Sequence, residues 1–218
     1  MDTPHGPATL DSVSALIHAR QNVSAKRLVE PGPSALQLQQ ILGTAAAAPD
    51  HGQLRPWRFV VVPAEQRGRL SEVFGQALLD RDPQASPDQL ESAREKAHRA
   101  PLLIMAIARL TDQGAQAGTA PGRGAEHPES SAADVSDAER LVSLGCAIQN
   151  MLLSAQAAGF GAGLTSGQAM ASPHLRALFG LQPHEQAVCC LNIGTVSKHK
   201  PPRVRPGLAD YVTYLGCP

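Results

Sequence analysis

Aromatic side chains are scarce in this sequence, with one Trp, two Tyr and four Phe in 218 residues. A core must therefore take its volume from Leu, Val and Ile and bring helices together on small side chains. So little aromatic area per subunit points to an extensive subunit interface. No apolar stretch approaches the ~20 residues that cross a bilayer. The N-terminal MDTPHGPATLDSV also lacks the basic stretch and apolar run of a signal peptide. A cytoplasmic protein with no membrane partner is expected. Excess charge is missing too: nineteen basic residues balance nineteen acidic ones, which removes the footprint of a nucleic-acid-coating protein. Any anion it binds must be held locally. The four cysteines, Cys146, Cys189, Cys190 and Cys217, form no C-x-x-C pair, and the eight histidines are scattered. No metal site is expected, and the cysteines read as small buried apolar residues.

The length suits one domain, taken here as 1–218. LDSVSALIHA predicts a helix over Leu10 to Ala19 with Val13, Leu16 and Ile17 on one face and Asp11 or Ser12 as N-cap. It delivers Arg20, and a polar loop then leads to Ser34, the predicted cap of SALQLQQILGTAAAA, which Pro49 ends. RFVVVP reads as a strand, Glu65 to Leu79 as a helix, and PLLIMAIARL as a strand buried on both faces. Between those last two lies RDPQASPDQLESAREKAHRAP, a charged, Pro-interrupted stretch. Residues 111–135 carry Gly, Ala, Ser and Pro without apolar periodicity and read as a flexible surface insertion. A long helix starts at Asp137, with acidic residues at its positive end and Gly159 as its stop. SPHLRALFG is a short helix with Ser172 as cap, AVCCLNIGT is a third apolar strand, and the tail from Lys198 is extended, reaching toward a partner subunit.

Several groups are candidates for chemistry. Arg20, Gln21 and Asn22 leave a helix end with a guanidinium fork and two amides, suited to phosphate, although a helix-terminal Arg is equally a dipole partner. Arg203 and Arg205 form a second basic pair, where prolines and alternation point both side chains one way. The connection from Pro49 to Trp57 is longer than usual and contains His51. The run from Gly159 to Gly167 follows a helix and lacks G-x-G-x-x-G order, which excludes a Rossmann fingerprint. Its small residues permit close backbone approach to a planar ligand, with Thr165 and Ser166 adding hydroxyls, while a tight turn between helix and strand explains it as well. No G-x-S-x-G, H-E-x-x-H or carboxylate cluster is present.

Taken in order, Arg20-Gln21-Asn22, RLVEPGPS, APDHGQLRPWRFVVV, AQAAGFGAGLTSG, SPHLRALFG and LNIGT resemble the nitroreductase family, in particular its compact bacterial branch of NAD(P)H nitroreductases. The resemblance runs from about Leu16 to Val212. It implies an α+β fold, a mixed sheet flanked by helices, in an intertwined homodimer with FMN at the subunit interface. It assigns Arg20, Gln21 and Asn22 to phosphate and ribityl contacts, His51 to flavin contact across the dimer, Leu164, Thr165 and Ser166 to a second flavin-contacting segment, and Arg203 and Arg205 to the phosphate. Arg-Gln-Asn stands where the family has Arg-Arg-Ser or Arg-His-Ser, Ala47 replaces an Arg, and Leu164-Thr165-Ser166 replaces Trp-Arg-Ser. The implied chemistry is a ping-pong cycle in which NADH or NADPH gives hydride to flavin N5, and a nitroaromatic, quinone or similar small acceptor then takes it. No acid or base side chain is needed, and Lys26 is the candidate for stabilising the flavin N1 and O2 edge. The alternatives are a flavin-binding protein without turnover, or a flavin-fragmenting or dehalogenating relative.

Overall fold

A computed structural model of the chain describes residues 9–111 and 135–216. In chain order the elements are α1 (Leu10–Ala19), β1 (Leu28–Val29), α2 (Ala35–Gly43), β2 (Trp57–Val61), α3 (Arg67–Arg81), α4 (Pro87–Arg94), β3 (Leu102–Arg109), α5 (Asp137–Ala157), β4 (Gly161–Thr165), α6 (Pro173–Phe179) and β5 (Glu185–Val196). Short single-turn helices join several of them.

The architecture follows from β3, whose residues Leu102 to Ala108 are all buried. Successive strand residues face opposite sides of a sheet, so its side chains divide between two helical layers. Leu102, Ile104, Ala106 and Ala108 pack with Ile41 of α2 and with Leu144, Ala147, Ile148 and Met151 of α5. Leu103, Met105 and Ile107 pack with Leu70 and Phe74 of α3 and Leu175 of α6. β5 is the hub of the sheet and pairs antiparallel with β1, β3 and β4, while β2 pairs antiparallel with β3. A parallel bridge from Asn22 to Ala162 adds the mixed character. Against β3 the register of β5 slips at Val188, which is why Ala187 and Cys190 share one face and Cys189 and Leu191 the other.

Helix starts follow local chemistry. Ser34 and Ser136 close capping boxes with Gln37 and Glu139, Ser172 caps α6 with Pro173 first in the helix, and Gly159 takes φ +87 just beyond α5. Trp57 packs against the α5 side of the core, as a strand-initial aromatic should.

Two readings need correction, and one stretch gains an element. The cap of α1 is Thr9, whose Oγ1 accepts the N–H of Ser12, in place of Asp11 or Ser12. The FGAGLTSG run contains strand β4 where a turn was an alternative, because Gly161, Ala162 and Gly163 find β5 as a partner. The charged, Pro-interrupted stretch, to which no element was assigned, contains α4, opened by a Ser86 to Gln89 capping box. The predicted insertion falls, within residues 112–134, outside the described residues; at its two ends Thr111 donates to Asp137 Oδ1 through its N–H (2.6 Å) and its hydroxyl (2.9 Å).

One buried carboxylate ties strands to helix. Glu185, 5% exposed, accepts from Arg58 Nε (2.7 Å) and Nη2 (2.8 Å) and from Arg109 Nε (3.5 Å), while Arg176 of α6 donates to its main-chain carbonyl. The hydrogen bonds from Arg58 outweigh burial and hold its pKa at about 2, below the usual 4.5. A depressed carboxylate pKa stabilises the fold above the unfolded value, and that stabilisation is lost as pH falls through the folded one. Urea unfolding measured between about pH 4.5 and pH 2 should show this loss in the parent chain. Glu185→Gln should be weaker at neutral pH by roughly 2–3 kcal/mol and should have a flatter acid limb.

Candidate active site

The site begins where α1 ends. Arg20 leaves the helix in an extended conformation, φ −66 and ψ 127, and the chain then runs along the start of β4. Val23 N–H donates to Ala162 O at 2.9 Å, and Asn22 Oδ1 accepts the N–H of Leu164 at 3.0 Å, joining segments 142 residues apart. Gly163 makes this approach possible: a Cβ there would stand 2.0 Å from Val23 O. The predicted Arg20-Gln21-Asn22 element and the Leu164-Thr165-Ser166 segment are thus brought together.

The trio fans out to three places. Asn22 holds β4. Arg20 meets the tail, where Arg205 Nη2 donates to Arg20 O at 2.8 Å. Burial, and next the charge of Arg205, lower the pKa of Arg20, and neither guanidinium has a carboxylate partner among the described residues. Two close cations without a counter-charge suit a bound anion. Gln21 lines a separate small cavity with Arg27, His199 and Lys200. Arg203 is exposed in the tail and makes no side-chain hydrogen bond among the described residues.

Beyond Leu164, residues Thr165 and Ser166 border a cleft of about 440 Å³ between α3, α4 and the turn after β4. Its apolar lining includes Phe74, Ala77, Leu103 and Cys190, and its polar lining includes Gln89, Ser92, Lys96, Arg81 and Asp88. Thr165 is fixed from below by Asn192, which is 1% exposed and donates Nδ2–H to Thr165 Oγ1 at 2.9 Å. Sequence reasoning missed Asn192, although an amide in the middle of the apolar strand AVCCLNIGT signals a buried hydrogen-bonding duty. It also missed Gln89, Ser92 and Lys96, which lie in the charged stretch where apolar periodicity is weak.

Two candidates sit apart from this cleft. Lys26 is exposed in the turn Ala25–Arg27 and does not line it. His51 is exposed at the start of a turn in which Gly52, Gln53 and Arg55 all take positive φ, and Asp50 Oδ2 closes the loop by accepting Arg55 N–H at 2.7 Å. The polar partner of His51 is Glu139 Oε1, 3.3 Å from Nδ1. Hydrogen bonds from Ser136, and then from His51, lower the Glu139 pKa. No group of three or more His, Cys, Asp or Glu able to hold a metal exists among the described residues.

Two segments far apart in sequence thus meet at Asn22 and Leu164, with the cation pair on one of them and the mixed cleft beyond the end of the other. The "Nitroreductase family" model matches residues 24–195, which is most of the chain. The chain belongs to the nitroreductase family. It is 33% identical over 208 residues to "Putative NAD(P)H nitroreductase YdjA" of Escherichia coli (strain K12), covering 94% of this chain and 100% of that one. Among solved structures, a nitroreductase-like family protein from Bacillus cereus superposes with a TM-score of 0.75 at 17% identity, covering 97% of this chain and 100% of that one. The FMN-dependent nitroreductase NfnB from Mycobacterium smegmatis, in complex with NADPH, gives a TM-score of 0.66 at 15% identity, covering 94% of this chain and 98% of that one. At such identities the two structures speak to the fold, and the nitroreductase-like α+β arrangement of this chain agrees with them.

The thiol in the cleft wall is an inert one. Burial pushes Cys190 up to about 12 and its neighbour Cys189 up to about 11. The thiolate is the reactive form, so iodoacetamide at pH 8 should spare both residues in the folded nitroreductase and modify half-buried Cys146 first among the described cysteines. Peptide mass mapping before and after urea checks this, with Cys189 and Cys190 labelled only after unfolding.

Proposed function

We propose that this nitroreductase-family chain is an FMN-dependent NAD(P)H oxidoreductase that acts as a homodimer in the cytoplasm on a nitroaromatic, quinone or similar small acceptor. The observation that supports the reading is the hydrogen bond between Asn22 and Leu164, which ties the segment carrying Arg20 to the strand whose end, at Thr165 and Ser166, borders the cleft. FMN makes two demands, a seat for its phosphate and a slot for its tricyclic ring. The residues present fit both. Arg20 and Arg205 offer positive charge without a competing carboxylate among the described residues, and the cleft bordered by Thr165 and Ser166 offers the slot.

In this reading Arg20, Asn22 and Arg205 hold the phosphate and ribityl end, with Gln21 and Arg203 contributing at the margin. Leu164, Thr165 and Ser166 lie along the ring, Thr165 held in place by Asn192. Gln89, Ser92 and Lys96 are the polar groups the cleft offers to the pyrimidine edge, and Lys96 takes the charge-stabilising role for which Lys26 was the sequence candidate. Bound FMN supplies hydride exchange between NAD(P)H and the acceptor in a ping-pong cycle. The chain itself contributes alignment and positive charge, with no side chain required as acid or base.

The dimer is supported by what one chain leaves uncovered. No residue of α1 is buried, with Val13 and Ile17 more than 40% exposed, and the tail carries Leu208, Tyr211, Tyr214 and Leu215 at 64% exposure or more. Covering such area removes about 25 cal/mol per Å² of apolar surface from water. A second copy would also bring its own exposed His51 to the flavin, which explains why His51 stands apart from the other site residues within one chain.

The purified protein should be yellow or take up FMN, and its visible absorbance should bleach on anaerobic addition of NADPH. Arg205→Gln should weaken FMN affinity roughly tenfold, one lost charge-assisted contact of about 1.4 kcal/mol, and leave riboflavin affinity nearly unchanged. A colourless protein that never takes up FMN would overturn the reading. Bound FMN that NAD(P)H cannot reduce would mark a flavin-binding protein without turnover.

A further inference from the structure

His51 has one polar contact, and it decides what the ring can do. Nδ1 lies 3.3 Å from Glu139 Oε1, while Nε2 has no hydrogen-bond partner among the described residues and the side chain is 60% exposed. Glu139 is itself held by the start of α5. Its Oε2 accepts the N–H (2.9 Å) and the hydroxyl (2.8 Å) of Ser136, and Ser136 Oγ accepts the Glu139 N–H in return. One oxygen of the carboxylate is thus committed to the helix cap, and the other, Oε1, is left for His51. The Ser136 bonds, and next the bond from His51, lower the Glu139 pKa and keep the group ionised. The carboxylate beside His51 in the chain, Asp50, is turned into its own loop, where Oδ2 accepts Arg55 N–H.

An exposed pair of this kind adds little to stability. Its effect falls on the imidazole proton. An ionised carboxylate can only accept, so the ring nitrogen facing it must carry the hydrogen, and in the neutral ring the opposite nitrogen is then a bare lone pair. We infer that Glu139 is a positioning residue that fixes neutral His51 as the Nδ1–H tautomer, so that Nε2 meets the flavin of a second copy as a hydrogen-bond acceptor. Carboxylates orient metal-binding imidazoles in the same way. The inference rests on the reading that brings His51 to the flavin across the dimer, and it names the complementary group: an N–H or O–H, which flavin offers at its imide and its ribityl hydroxyls.

Glu139→Gln is a sharp test, because Gln serves a capping box as well as Glu does. Its amide oxygen keeps the Ser136 bonds, which turns the NH2 toward His51 and makes Nδ1 the acceptor. Nitrogen-15 NMR of the flavin-free protein at about pH 8.5, above the ordinary imidazole value of about 6.5, should find His51 protonated on Nδ1 in the parent and on Nε2 in Glu139→Gln. FMN binding should weaken about tenfold in Glu139→Gln, as a donor now faces a donor, and the same substitution should cost nothing further in a His51→Ala background. A parent protonated on Nε2, or a tautomer that Glu139→Gln leaves unchanged, overturns the inference whether or not the protein binds flavin. A switched tautomer with unaltered FMN affinity in a protein that still takes up and reduces FMN also overturns it, and leaves the flavin reading standing. So does an equal loss of affinity with and without His51, since Glu139 would then act only through the helix start.

Discussion

Everything in the candidate site depends on two backbones passing closer than any side chain would allow. The segment leaving α1 lies on β4 through Val23 N–H to Ala162 O and Asn22 Oδ1 to Leu164 N–H, and Gly163 gives the clearance. Gly161 has the same character, since a Cβ there would meet Val196 at 2.3 Å and crowd Leu28 and Val23. Two glycines two positions apart on a strand face one way. They turn one side of β4 into a flat seat for the N-terminal segment.

That seat is held from beneath by the sheet. β4 pairs with β5, β5 with β3, which is buried from Leu102 to Ala108, and the two helical layers on β3 leave little room for the strands to shift. Asn192 carries this rigidity to the surface by binding both Thr165 Oγ1 and Gly163 O. A soft site would let the cation pair and the cleft drift apart, and a planar ligand bridging them needs both within a fraction of an ångström. On the far side, the buried Arg67 guanidinium donates to the carbonyls of Val62, Ala97, Ala100 and Pro101, which pins the turn carrying Lys96 to the start of β3. The cleft walls are thus tied to the same strand that supports β4.

Sequence reading recovered what local chemistry dictates. Ser34 announces one helix start and the acidic Asp137 and Glu139 another, Gly159 marks a stop, and the unbroken apolar run of β3 declares a strand covered on both faces. The family resemblance drew attention to Arg20-Gln21-Asn22 and to Leu164-Thr165-Ser166. What it missed are matters of long-range geometry. No periodicity tells that Asn22 grips Leu164 while Gln21, one residue earlier, faces a different cavity. Lys96 was hidden because α4 and the turn after it are polar or charged on most positions, so their place against α3 is set by a few contacts that leave no apolar stripe. Asn192 was visible as an oddity in an apolar strand, but its purpose appears only once β4 is laid beside it.

Equilibrium FMN binding to Gly163→Ala, with far-UV circular dichroism to confirm that the fold is kept, tests the dependence of the site on this close approach. The added methyl must push Val23 away and break the grip of Asn22 on β4. The account predicts a loss of FMN affinity of at least tenfold, about 1.4 kcal/mol, in a protein that remains folded. A folded Gly163→Ala variant that binds FMN as tightly as the parent would contradict it.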